Sequence, residues 1–472
     1  MRAKINNSLH WLFWFCFIVV VWAIFASRNQ ADFPFFRLEI LALFILIYIF
    51  SKKIKNKYFP FLLFGLSFFI RVFCALLIQN EPVSDFNVLY KAAEMLSKGD
   101  TSFNTTSYFQ TWSYQTGFVM WEAFLLKIVN SVVFLKIVNC AVSAGINLLI
   151  YYIAQELFDN KVASRTVSIV YMIFPFAVLN TNVLSNSHIS AFFLFFGVLL
   201  LIKGRQRHDI IDYGISGLSI ALGNIFRPDG LILLVALGAV FFFDLFGKEK
   251  IVDTVKKVVA FFGAYLGLMV IASNIIVATG INPNGLKNED PLWKFVLGTN
   301  YESKGGYSDT DLLLIEEYMG KYDCSYEEAE KQIIIERIHQ PMKLLSMMQD
   351  KVNTMWWSDG ITWSFSDDFM NNLPTLVEQI RRINREIWYF TMLLLVLSVG
   401  AYCKLGKRKT SNLIIPFIIF ATFVVYLLIE VQPRYAYMVQ IAVFIMAAGG
   451  LDFGESKLKN WKEYILKEKS EY

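Results

Sequence analysis

Residues 80–100 read NEPVSDFNVLYKAAEMLSKGD, and their setting decides how the chain is organised. They follow an apolar run of about 20 residues, enough to cross a bilayer as helix, and they carry an acid, Asp85, where the chain is expected to leave the hydrocarbon. From there Phe86, Leu89, Ala93 and Leu96 recur at helical spacing, with Lys91, Glu94 and Lys98 on other faces. That pattern predicts a helix lying on the membrane surface. The carboxylate at its head has two readings. Either Ser84 or Asp85 caps the helix by accepting from exposed backbone N–H groups, or Asp85 stands at the water–lipid boundary as a general base that takes a proton from an incoming hydroxyl.

The rest of the chain sets that helix in a membrane. Of 472 residues 56% are hydrophobic, with 44 Phe and 11 Trp, and the mean hydropathy is +0.47. No soluble domain needs this to build a core, so the chain is polytopic. Apolar stretches of spanning length are predicted at about 10–27, 35–50, 58–79, 132–154, 163–182, 186–203, 210–226, 228–246, 256–279, 386–403, 412–430 and 433–450, twelve in all. The formal net charge of +5 does not point to nucleic acid, because the basic residues gather in alternate connections: SKKIKNK, KGRQRHD, FGKEK, KLGKRK and the tail ESKLKNWKEYILKEK. The short connections on the other side hold only Arg28, Arg37, Arg227 and Arg434. By the positive-inside rule both termini are cytoplasmic. The first stretch carries Arg2 and Lys4 but lacks a small-residue cleavage site, so it is read as a retained helix.

Four parts follow: an N-terminal transmembrane module 1–279 with an exterior loop 80–131, an exterior mainly helical domain 280–386, C-terminal transmembrane helices 387–450, and a basic cytoplasmic tail 451–472. Within the loop, SYQTGFVMWEAFLLKIVN resembles a span in length. Counting it as one would invert the later basic clusters, so a juxtamembrane or re-entrant helix is expected. In the exterior domain Ser325 and Glu328 fit a capping box. Its Trp293, Trp356, Trp357 and Trp363 predict burial against the helices or seating at the interface. Cys16, Cys74, Cys140 and Cys403 lie in or beside spans and only Cys324 lies outside, so no disulfide framework is expected.

Five stretches, in order, carry a resemblance: PVSDFNVLYKAAEMLSKGD, LGNIFRPDGLILLVAL, FVLGTNYESKGGYSDTD, IIIERIHQPMKLLSMMQDKVNTMWW and VQPRYAYMVQIAVFIMAAGG. An exterior first loop with an acid, two surface helices, a run of spans and a C-terminal arginine–aromatic pair resemble the integral-membrane glycosyltransferases of the GT-C fold. The likeness is greatest to the bacterial relatives of the dolichyl-phosphate-mannose protein mannosyltransferases and to the lipid A aminoarabinose transferases, a family 39-like group. The resemblance implies an all-α fold of about 12 transmembrane helices with juxtamembrane helices in the first large loop. It also implies transfer of a sugar, with inversion, from polyprenyl-phosphate (undecaprenyl-phosphate) to a cell-envelope acceptor outside the membrane: a polysaccharide, teichoic acid or lipid. Asp85 matches the position of the base. The chain has Ser-Asp where many protein mannosyltransferases carry paired acids and lacks their inserted lumenal domain, so protein O-mannosylation is the alternative. A flippase or transporter is the reading from another class, but no internal repeat is visible.

Such chemistry needs cations or hydrogen-bond donors at the departing phosphate. Arg434 and Tyr435 in QPRYAY and Arg227 in FRPDG are the donor-phosphate candidates. Arg434 could equally snorkel to the interface or pair with Glu430, and Arg227 could form a local ion pair with Asp229. His188 in SNSHIS, Trp112 and Tyr114 are candidates for acceptor or sugar contacts, against a hydrogen-bonded turn residue and an interface belt; Tyr108 belongs with these aromatics. Arg71 and Lys136 fall in or near spans, where pairing in the bundle or snorkelling would account for them. No phosphate loop, dinucleotide fingerprint, H-E-x-x-H or C-x-x-C is present. No cofactor is implied, and a divalent metal is left open. Membrane lipids, a lipid-linked sugar and an acceptor glycan or lipid are the expected partners.

Overall fold

The computed structural model describes residues 2–28, 38–247, 250–405 and 413–470, and every regular element among them is helical. Arg37 and most of the KLGKRK connection lie outside the described residues. Seven helices are long and apolar enough to cross a membrane: Ile5–Ala26, Phe59–Ile78, Val132–Phe158, Ser187–Arg207, Ile251–Ala278, Pro374–Gly400 and Pro433–Trp461. A bent pair, Lys161–Ile173 and Pro175–Asn182, turned by 59°, stands where one span 163–182 is expected and is either a broken span or a re-entrant loop. Pro175 causes the break: it has no N–H to donate, and it holds Phe174 in an extended conformation. The remaining predicted stretches form shorter helices, Leu38–Lys53, Ile210–Phe226, Gly230–Leu245 and Ile414–Leu428. At 15 to 17 residues they fall short of a full hydrocarbon thickness. All twelve stretches are therefore helical, and seven or eight meet the length of a span.

The bundle has two chemically different ends. At one, Arg165 donates to the carbonyls of Ser51 (2.9 Å) and Ile54 (2.8 Å), satisfying acceptors that the end of helix Leu38–Lys53 leaves over. Arg205 pairs with Asp244 at 2.5 Å, and Asn160 reaches Asp452 and Glu455 at 3.0 Å. These are the basic connections. At the other end the two long inserts meet: Asn104 donates to the Ile281 carbonyl (3.0 Å), Asn282 to the Thr116 hydroxyl (2.9 Å) and Asn80 to the Trp363 carbonyl (3.0 Å).

Within the first insert, helices Ser84–Ser97 and Thr116–Ile128 bury Leu89, Ala92, Ala93, Phe118, Val119 and Ala123 in a common core. The second has 13 residues, about 20 Å of helix, and is a surface element rather than a span. The second insert holds helices Trp293–Gly298, Thr310–Tyr322, Tyr326–Ile338 and Pro341–Trp357. The Ser325–Glu328 capping box forms in both directions. A small core of Trp293, Val296, Leu297, Ile315, Ala329 and Ile333 is its own, but Val352, Met355 and Trp356 join the core of the bundle. Trp388 Nε1 donates to the Trp356 carbonyl at 2.6 Å and Trp357 Nε1 to that of Ile24 at 2.7 Å. The tryptophans thus lock this insert down onto the bundle. Helix Pro374–Leu405 runs through residue 386 and helix Tyr437–Ser470 through residue 450, so neither expected boundary is a structural break.

Candidate active site

Asp85 occupies the first turn of helix Ser84–Ser97, yet it caps nothing: the N-cap is Val83, with no side-chain capping bond. Ser84 has φ +51°, a left-handed conformation that costs a residue with a Cβ of order 1–3 kcal/mol. From this turn the Asp85 carboxylate, half exposed at 49%, reaches Arg434 Nη2 at 3.4 Å. The chain places a charged group directly after a residue in the left-handed region.

Arg434 comes from the far end of the sequence. After helix Ile414–Leu428 the chain becomes extended through Gln432 and turns at Pro433–Ala436 before the last helix. Arg434 Nε donates to Gln432 Oε1 at 2.7 Å, and its guanidinium lies 5.0 Å from the Phe86 ring and 5.6 Å from that of Tyr435. The Tyr435 ring is shared. Arg227 lies 5.4 Å and Lys294 5.9 Å from its centroid, so three cations from separate elements surround one aromatic.

Arg227 ends helix Ile210–Phe226, forming the local pair with Asp229 at 2.7 Å while its Nη1 donates to Asn186 Oδ1 at 3.0 Å. Asn186 in turn donates to Gln115 Oε1 at 3.1 Å, tying this arginine to the first insert. Gly117 permits the approach: a Cβ there would stand 2.2 Å from the Ile225 carbonyl oxygen. Lys294 pairs with Glu430, which is 1% exposed and also accepts from Gln432 Nε2 (2.5 Å) and the Tyr435 hydroxyl (3.3 Å). Burial opposes the charge of Arg227, but Asp229 holds its pKa above the ordinary value. Burial likewise opposes that of Lys294, and Tyr435 and Glu430 raise it. Tyr108 and Tyr114 are pushed up by burial, with Asp85 adding to the shift of each, and stay protonated donors.

The structure gathers Asp85, Arg434, Arg227 and Tyr435, and Tyr114 feels Lys294, Tyr435, Arg227 and Asp85. Trp112 stands further out, stacked edge-on against Tyr108 at 4.9 Å and packed on the small core around Trp293. His188 is not brought to the cluster. It is fully buried, with Nδ1 2.7 Å from the Tyr437 hydroxyl and Nε2 2.9 Å from the Asn180 carbonyl, so neither nitrogen faces a substrate. Arg71 is held inside the bundle by Ser143 Oγ (2.9 Å) and the carbonyls of Ser67 (3.1 Å) and Met172 (3.4 Å). Lys136 donates to Asn80. Lys294 escaped the sequence reading because nothing in PLWKFVLGTN distinguishes it from other lysines. The sequence offers Glu430 as a partner for Arg434, whereas it binds Lys294 and reaches Arg434 through Gln432. Among the described residues no group of three or more His, Cys, Asp or Glu side chains could hold a metal ion.

Fold and site define a polytopic membrane protein with the GT-C architecture, its acid and cations gathered at one end of the bundle. In fold it is similar to the archaeal oligosaccharyltransferase AglB from Archaeoglobus fulgidus in complex with an inhibitory peptide and a dolichol-phosphate: TM-score 0.51 at 14% identity, over 87% of this chain and 52% of that one. The apo form of the Archaeoglobus fulgidus oligosaccharyltransferase gives 0.50 at 15% identity, over 87% and 52%. The chain spans about half the length of these structures. Residues 116–277 match the family model of dolichyl-phosphate-mannose-protein mannosyltransferase. No curated protein matches the chain in sequence. The resemblance drawn from the order of motifs is borne out in fold, and the family model matches about a third of the chain. That stretch includes Asn186, Arg227 and Asp229; Asp85, Lys294 and Arg434 lie outside it.

Proposed function

We propose that the protein is an inverting glycosyltransferase that moves a sugar from undecaprenyl-phosphate to a cell-envelope glycan, teichoic acid or lipid on the outer side of the plasma membrane. The observation that carries this reading is the 3.4 Å approach of Asp85 to Arg434 beside the cations around Tyr435: a base next to a phosphate cradle. In the reaction the acceptor hydroxyl gives its proton to Asp85 as its oxygen bonds to the anomeric carbon. The bond from that carbon to the carrier phosphate oxygen breaks, and the phosphate leaves with the electron pair. Arg434 and Arg227, with Tyr435 between them, stabilise the growing charge on the phosphate. A single displacement from the opposite face inverts the sugar.

A protein acceptor is the second reading, favoured by the family matched over residues 116–277. A transporter is disfavoured because the polar groups deep in the bundle, Arg71 and His188 among them, are closed off from solvent. The distribution of basic connections supports an outward-facing site and cytoplasmic termini. In a Cys324→Ser background, Glu302→Cys is expected to react with a membrane-impermeant thiol reagent on intact cells and Lys55→Cys to resist it; the opposite pattern would overturn the sidedness. The activity is tested by giving protein in nanodiscs a panel of polyprenyl-phosphate sugars with envelope acceptors and measuring release of free carrier phosphate. No release with any donor would overturn the proposal.

A further inference from the structure

We infer that Lys294 is a third cation for the carrier phosphate and that Glu430 is the positioning residue that aims both Lys294 and Arg434; this rests on the donor-site reading above. Lys294 is the least enclosed of the cations around Tyr435, its side chain 36% exposed, and an ammonium has three donors. Its contact with Glu430 therefore leaves hydrogen-bonding capacity for an incoming oxyanion. Glu430 is nearly inaccessible at 1%, so it does not itself face a ligand. It works through neighbours. One carboxylate accepts from Lys294, from Gln432 and from Tyr435, and Gln432 passes the constraint on to Arg434 Nε.

The backbone around this carboxylate is fixed from several sides. The Glu430 N–H donates to the Lys294 carbonyl at 2.8 Å and the Val431 N–H to that of Gly305 at 2.8 Å. Gly298 lies so close to the end of helix Ile414–Leu428 that a Cβ would stand 2.3 Å from the Leu428 carbonyl oxygen. Lys351 Nζ bridges the carbonyls of Gly298 (2.8 Å) and Leu427 (2.9 Å). Two segments far apart in sequence are thus stapled together at the point where they present Lys294 and Arg434. A buried acid held this firmly orients two cations without competing for the ligand they face.

Undecaprenyl phosphate titrated into protein in nanodiscs tests the inference without any acceptor or sugar. Lys294→Gln keeps a donor for Glu430 and is expected to fold normally while weakening carrier binding about tenfold; Lys294→Arg, which restores the charge, is expected to bind within about threefold of wild type. Glu430→Gln is expected to weaken binding to a similar extent at nearly unchanged melting temperature, and the Lys294→Gln/Glu430→Gln pair to be little worse than either alone, the non-additivity of residues acting as a unit. Lys304→Met, which removes a lysine that is 64% exposed outside the cluster, serves as the charge control and is expected to change nothing. Binding by Lys294→Gln within about twofold of wild type, while Arg434→Ala is impaired, would overturn the role of Lys294 alone. Independent, additive losses in the double variant would overturn the positioning role of Glu430. Absence of carrier binding by wild type, or equal binding by Arg434→Ala, would instead overturn the donor-site reading.

Discussion

Two regions of this molecule hold an arginine beside tyrosines, and they differ in what else they hold. At the loop end Arg434 meets Asp85, Arg227 meets Asp229 and Lys294 meets Glu430, with Tyr435 between them. Deep in the bundle Arg71 has only neutral oxygens as partners, lies beside Tyr171, and belongs to a network with Ser143, Tyr437 and His188. In the first region the acid, Asp85, is half exposed and its contact with Arg434 is long, so an incoming anion or hydroxyl has something to engage. In the second, Arg71 and His188 are fully buried. Polar residues in a membrane protein therefore do not mark a reacting site by their presence. The proposed site differs from the buried network in retaining opposite charges that solvent reaches.

Breaking the first region should have the largest consequence. Asp85→Asn preserves shape and removes the proposed base, and transfer is expected to fall by roughly a hundredfold or more with little change in melting temperature. Near wild-type turnover would return Asp85 to the role of a surface ion-pair partner. Arg434→Ala is expected to lose nearly all turnover, and Arg434→Lys, which keeps charge but not the planar fork, to lose about tenfold. Donor turnover within about twofold of wild type in the lysine variant would reduce Arg434 to an interface anchor, since lysine snorkels as well.

The second region should respond in stability and not in chemistry. His188→Phe removes one hydrogen bond from the Tyr437 hydroxyl and one from the Asn180 carbonyl and is expected to destabilise the fold by about 1–3 kcal/mol, with the donor KM unchanged within about twofold. A folded variant with abolished transfer would erase the distinction between the regions. The last effect concerns Lys351, which supports the first region from behind and is read in stability alone. Burial pulls its pKa from 10.5 down to about 7, Glu430 opposing the shift. Below pH 7 the folded protein bears the full cost of a buried ammonium, and between about 7 and 10.5 the unfolded chain binds more protons than the folded one, so this contribution makes stability rise with pH. The neutral amine still has two N–H donors for its two carbonyls. Melting temperatures across that range are expected to rise less steeply in Lys351→Met, and identical slopes would contradict the assignment.

Much of this was legible in the sequence because its signals are local. Apolar length predicts the helices, alternating basic connections order them, and the periodicity after Asp85 marks a surface helix. The capping box at Ser325 and Glu328 is a four-residue pattern and forms as expected. Arg434, Arg227 and Tyr435 could be proposed because topology put them at one end. What escaped was nonlocal. The bend at Pro175 divides a stretch whose hydropathy is continuous, and the insert after residue 280 hides its junction with the bundle because the tryptophans that make it look alike in either environment.

The sequence by itself determined a polytopic helical protein, the end at which its long inserts gather, and a short set of acids and arginines there. Only the tertiary structure decided which of them meet. It separated His188 from the cluster by burying both ring nitrogens, recruited Lys294 through a carboxylate 136 residues away, and turned Ser84 into a strained support for Asp85. The physical reason is that hydropathy acts over one helix at a time, whereas an ion pair depends on the distance between side chains from separate helices. That distance is fixed by packing, by close approaches such as those at Gly117 and Gly298, and by the hydrogen bonds that close around them.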